Sequence, residues 1–155
     1  MAKEKETVNL DSVDAYNKLY GMKTSHPLVT VIDLKKATRR FENIRLNYGV
    51  YAVFLKNNAS CRLQYGREYY DYQEGTVVSF APGQVIDVES SGETVAPDVV
   101  GLMFHPDLIC STPLADKINR YGYFDYSQKE ALHLSESERD IFLECLDKIN
   151  REVEH

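Results

Sequence analysis

At 155 residues, 43% of them hydrophobic and 27% charged, the chain is one domain long and able to bury a substantial core. A formal net charge of -6 argues against this polypeptide gripping a phosphate backbone by itself, because that affinity comes from Lys and Arg displacing counterions. Cys61, Cys110 and Cys145 are widely spaced with no CxxC, which excludes a zinc knuckle or disulfide frame and reads as free thiols in a reducing compartment.

The start, Met-Ala-Lys-Glu-Lys-Glu, leads into no apolar signal region, and no stretch approaches the length of a membrane span. A cytoplasmic protein with no membrane partner is expected. Residues 1–9 read as a polar arm. Asp11 or Ser12 caps a short helix through Tyr20, with Val13, Tyr16, Leu19 and Tyr20 on one face and Gly21 as its stop. Ser25-His26-Pro27 is extended, and Leu28 to Leu34 is a strand. Lys35 to Asn43 shows no period and reads as a loop. Ile44 to Lys56 reads as the longest strand, with Asn57-Asn58-Ala59 turning it into a partner strand over Ser60 to Tyr65. Gln84 to Glu89 and Asp98 to Phe104 are further strands. Short strands between turn signals, with no helices separating them, predict an antiparallel barrel or sandwich.

After Pro106 the character changes. Thr112-Pro113 is a helix start, followed by Leu114, Ile118 and Tyr121 at helical spacing as far as Gly122. Ser135-Glu136-Ser137-Glu138 is a capping box. The helix it opens carries an apolar stripe of Ile141, Phe142, Cys145, Leu146, Ile149 and Val153. That stripe either packs on the strands or meets the same helix of a second chain, and both hold if they concern different sides. Ile141, Phe142, Cys145, Leu146 and Ile149 are therefore the candidate dimer interface. Residues 1–110 form the expected arm, helix and barrel, and 111–155 a helical appendage of the same structural unit.

The stretch on which the pattern centres is Gly75, Thr76 to Phe80, Ala81-Pro82-Gly83, a turn, a short buried strand and a second turn. It resembles the second motif of the cupin barrel: Gly, five residues, Pro, any residue, Gly, two residues, His, three residues, Asn. Both glycines stand in place. Ala81 occupies the Pro slot, Ile86 the metal-ligating His slot and Ser90 the Asn slot. Metal-holding cupins need alternate strand residues aimed at one ion, hence His-x-His. The strand over Tyr48 to Lys56 has no histidine, and His26, His105, His133 and His155 are isolated. No metal and no cofactor are expected. A metal-free barrel still offers an interior, and Tyr51, Val53, Leu63, Tyr65, Tyr72, Val78 and Phe80 are the candidates for lining it. No nucleophile elbow, Walker loop or dinucleotide fingerprint occurs, so no catalytic residue is assigned.

Four stretches in order resemble the N-terminal sensor domain of AraC-type transcriptional regulators with the long Bacteroidetes-style sensor. They are Thr24 to Val29, Tyr70 to Gly75 continuing through Ala81 to Gln84, Gly101 to Ile109, and Glu130 to Ser135. The resemblance implies a cupin-like double-stranded β-helix that binds a small-molecule effector and forms a homodimer. It also implies contact with DNA only through a C-terminal pair of helix-turn-helix units not expected within this sequence. The expected function is regulatory and not enzymatic. The alternative is a small metal-independent cupin enzyme, an isomerase or epimerase using His105 with Tyr65 or Tyr72 as acid and base.

Overall fold

The computed structural model describes residues 6–39, 43–56, 61–65, 68–69, 75–90, 98–118 and 132–154. The polar arm contains a strand, β1 (Glu6–Leu10), that pairs in parallel with β3 (Asn43–Tyr48). Val8 and Leu10 alternate with polar residues, which suffices for an edge strand held by backbone bonds, and Leu10 is fully buried. Helix α1 (Val13–Tyr20) begins where expected: the Ser12 hydroxyl accepts the Ala15 N–H at 3.1 Å. Gly21 closes it in the left-handed conformation at φ 70.

Strand β2 (Val29–Asp33) runs into a single 3-10 turn (Leu34–Lys36) where a loop was expected. The long strand predicted over Ile44 to Lys56 is instead two, β3 and β4 (Tyr51–Lys56), placed in different sheets. The break falls at Gly49, whose N–H donates to the Leu10 carbonyl at 2.9 Å. A Cβ there would stand 2.9 Å from that same oxygen, so the backbone approach needs glycine. The expected turn over Asn57 to Ala59 lies outside the described residues. Strand β5 (Cys61–Tyr65) does not return along β4. It crosses to the other sheet and pairs with β6 (Glu68–Tyr69) and β8 (Val85–Ser90).

With β7 (Thr76–Phe80), β9 (Val99–Phe104) and β10 (Leu132–His133), the chain makes two five-stranded sheets, ordered β1-β3-β8-β5-β6 and β10-β7-β4-β9-β2. Every pairing except β1 with β3 is antiparallel. The antiparallel pairs nest: β5 with β6, β4 with β7, β3 with β8, β2 with β9, successive pairs alternating between sheets. Among the described residues no ladder joins one sheet to the other. The expected barrel is therefore two sheets face to face over a shared core, mainly β with a C-terminal helix. Ile44, Leu46, Tyr48 and Ile86 of the first sheet meet Ile32, Phe54, Val78, Phe80 and Met103 of the second. Tyr16 and Tyr20 of α1 join the same cluster.

The second sheet is covered on its other face as well. Helix α2 (Pro113–Lys117) follows Thr112, but the Thr112 hydroxyl donates to the Ile109 carbonyl rather than accepting a helix N–H. Ile118 is buried just beyond it, Leu114 is exposed, and Tyr121 and Gly122 lie outside the described residues. Helix α3 (Glu136–Val153) opens on the complete capping box: the Glu138 N–H donates to the Ser135 hydroxyl at 3.3 Å, and the Ser135 N–H to the Glu138 carboxylate at 3.0 Å. Its Ile149 and Val153 pack with α2's Ala115 and with Ile118 on Val29, Tyr51 and Phe104. The region 111–155 is thus not wholly helical, since β10 extends the second sheet.

Candidate functional site

Register decides which side chains share the space between the sheets. Ala52 opposes Phe80, Phe54 opposes Val78, and Lys56 opposes Thr76. Thr76 in turn opposes His133. Since residues of one parity line one face, the face that carries buried Phe54 and Val78 continues into a row of Lys56, Thr76 and His133. The row is polar, while Ala52, Phe54, Val78 and Phe80 beside it on the same face of β4 and β7 are apolar. Lys56 is 2% exposed and Thr76 0%, while His133 is open to solvent. The Thr76 hydroxyl and His133 Nδ1 lie 3.2 Å apart. The row stands at the last residue of β4, the first of β7 and the last of β10, so it forms one rim of the inner face.

The seven residues expected to line the interior divide. Val78 and Phe80 face it, buried against Phe54 and Tyr48, the ring centroids of Phe80 standing 5.0 Å from Tyr48 and 6.1 Å from Phe54. Tyr51 and Val53 have the opposite parity and sit on the outer face of β4. There Tyr51 stacks on Phe104 at 5.2 Å, in the cluster under the helices. Both faces of β4 are apolar because helices cover the outer one, so alternation in the sequence could not reveal which parity points inward. Leu63 and Tyr65 oppose Val88 and Ile86 in register on β5. Tyr72 lies outside the described residues. Lys56 and Thr76 were not singled out in the sequence, and His133 was read only as an isolated histidine; the available signal was the polar pair continuing the parity of Phe54 and Val78.

Ile86, the second residue of β8, stands where the motif resemblance would put a metal-ligating histidine, and it is 1% exposed. Around it the aromatic packing is continuous, from Tyr48 and Phe80 through Phe54 to Tyr16 at 6.0 Å and Tyr20 beyond. Burial, reinforced by nearby Tyr20, pushes the Tyr48 phenol well above its usual range, so it is neutral at any physiological pH. The turn glycines of the motif behave as their spacing demands, Gly75 at φ 80 and Gly83 at φ 94.

His26 and His105 serve their own turns. His26 Nδ1 accepts the Leu28 N–H at 3.0 Å, and His105 Nδ1 accepts the Asp107 N–H at 3.0 Å. His105, the expected base of the enzymatic alternative, thus engages that nitrogen in capping a 3-10 turn (Pro106–Leu108). Among the described residues no three His, Cys, Asp or Glu side chains converge as a metal cluster would require.

The apolar stripe of α3 also divides. Leu146 is 7% exposed, and Phe142 and Ile149 are half-buried on the side turned to the protein. Ile141 is 61% exposed and Cys145, one turn on, is exposed as well. The five candidate interface residues are therefore on two sides of one helix. No helix among the described residues is long and apolar enough to cross a membrane. No protein-family model matches the chain, and no curated protein matches it significantly.

Proposed function

We propose that the chain is a cupin-like sensor and dimerisation module of the AraC type, which holds a small-molecule effector and passes its presence to a second copy through α3. The observation that carries this reading is the nested order of pairs, β5–β6, β4–β7, β3–β8 and β2–β9, dealt alternately to two sheets. A long antiparallel hairpin rolled up in this way is a jelly roll, the architecture of the cupins. Ile86 in the ligand slot removes the means of holding iron or manganese there and favours holding over reacting. Helix α3, anchored to the second sheet by Ile149 and Val153, presents Ile141 and Cys145 outward for a partner copy.

A thermal-shift screen against small metabolites tests the reading, because a ligand that binds only the folded state raises the melting temperature. A hit that also changes the sedimentation coefficient supports it. Turnover of sugar phosphates or dicarbonyls would replace it with the enzymatic alternative.

A further inference from the structure

We propose that the two His-Pro turns, His26-Pro27-Leu28 and His105-Pro106-Asp107, form a pH-sensitive clasp that closes the end of the β2–β9 ladder beneath helix α3. The clasp is a property of the fold and does not rest on the sensor reading. Both turns are built alike: His26 Nδ1 accepts the Leu28 N–H, and His105 Nδ1 the Asp107 N–H, each at 3.0 Å. The intervening proline has no N–H and disfavours helical backbone at the residue before it, so each ring meets the first amide beyond the proline. His105 is extended in this way, at φ -76 and ψ 146. The turns are also joined to each other. Val29 faces Phe104 at the last rung of the ladder, and just past it the His105 N–H donates to the Leu28 carbonyl at 2.8 Å. Leu28 is therefore held at its N–H by one histidine ring and at its carbonyl by the other histidine's backbone.

The clasp depends on protonation. A ring nitrogen accepts an N–H through its lone pair, and a proton bound there leaves two donors facing each other. Imidazole is the side chain that makes this change between about pH 5 and pH 8. Both rings are half-buried, so solvent reaches them. The two turns respond differently. Asp107 Oδ2 lies 3.5 Å from His105 Nδ1, and a protonated His105 exchanges the Asp107 amide for that carboxylate. Among the described residues no carboxylate lies within ion-pair distance of His26, whose protonation ejects the Leu28 N–H without replacement.

Position gives the clasp a consequence. Val29 and Phe104, next to the joined turns, pack with Ile149 and Val153 of α3 and with Ala115 and Ile118 at α2. On those helices Lys148 and Arg151 pair with Glu144 and Asp147. Asp116, Lys117, Glu152 and Glu154 are exposed and make no ion pair with either ring. Neutral rings thus hold the floor on which the C-terminal half of α3 rests. The neutral form is the one that caps, so this contribution is complete above the imidazole range and is lost as pH falls through it.

The experiment is urea denaturation of the whole chain between about pH 8 and pH 5.5, on wild type and on the double variant His26→Asn with His105→Asn. An asparagine oxygen accepts the N–H two residues on, as the ring does, and does not titrate. The folded-to-unfolded ratio of wild type is expected to fall about fivefold across that range, the worth of one cap, with the larger share from His26. The double variant should match wild type at the upper end and stay level below it, apart from any slope owed to His133 and His155, which both proteins share. A flat wild-type ratio, or equal slopes in the two proteins, overturns the clasp. If the double variant fails to fold, amide NMR of wild type decides. The Leu28 amide resonance should move with the His26 ring titration, and an amide that does not follow it overturns the clasp. Hydrogen exchange tests the link to the helix: in acid, amides from Ile149 to Val153 should exchange faster relative to those of α1. An unchanged ratio overturns the coupling to α3.

Discussion

A Cβ placed on Gly75 would stand 2.7 Å from Nη2 of Arg139, so the start of β7 and the first turns of α3 are packed against each other at a glycine. The Gly75 carbonyl also accepts the Leu134 N–H at 3.0 Å, tying the residue ahead of the helix cap to the strand. This joint lies beside the polar row of Lys56, Thr76 and His133, because Gly75 directly precedes Thr76.

Gly75→Ala is expected to cost about 1–2 kcal/mol from the left-handed backbone alone. Displacing the Arg139 guanidinium adds to it, modestly, since the end of a flexible side chain yields. Gly83 supplies the control: its φ is 94, but nothing lies within 4 Å of where its Cβ would be. Urea melts of both variants isolate the contact, and equal losses would remove Arg139 from the account.

Ile86→Ala is expected to destabilise the fold by about 2–5 kcal/mol, the cost of a cavity in a core that cannot fully collapse. Its neighbour Val85 is 44% exposed on the other face of β8, and Val85→Ala should stay within about 0.5 kcal/mol. Similar losses at both positions would mean that β8 does not turn its even-numbered residues inward.

Helix ends were legible in the sequence because their chemistry is local. Ser12, Gly21, Ser135 and Glu138 all act within a few residues of themselves, and each was found in its expected role. Thr112-Pro113 starts its helix as expected, but the Thr112 hydroxyl donates to the nearby Ile109 carbonyl instead of accepting a helix N–H. Strand existence was legible too, but strand partnership was not. β4 and β5 follow one another in the chain and lie in different sheets, a choice made by the rolled topology and not by the residues between them. The polar rim was least legible of all, since Thr76 and His133 meet across 57 positions of sequence.

The capping box predicts a pH effect whose sign is fixed. The backbone N–H of Ser135, and then its side chain, hold the Glu138 carboxyl below its ordinary value of 4.5. A group with a depressed folded value stabilises the fold above its unfolded value and loses that contribution as pH falls through the folded one. Glu138→Gln should therefore flatten the acid limb of the stability curve. Ser135→Ala should cost about 1 kcal/mol near neutral pH through the lost cap. Chemical denaturation between about pH 7 and pH 3 measures both, and an acid limb identical in wild type and Glu138→Gln would show that the box does not couple to folding.

The two sides of α3 give the last prediction. Leu146 is buried against the protein, so Leu146→Ala should lower stability by about 2–5 kcal/mol. Ile141 is exposed in the single chain, so Ile141→Asp should leave monomer stability within about 0.5 kcal/mol. If α3 meets α3 of a second copy, however, the aspartate places like charges near the shared axis and removes apolar area from the contact. Sedimentation equilibrium should then show a shift from dimer to monomer for Ile141→Asp, at unchanged urea midpoint under dilute conditions where both proteins are monomeric. An association constant unaffected by Ile141→Asp would move the dimer contact off this side of the helix, leaving α3 only its attachment to the second sheet.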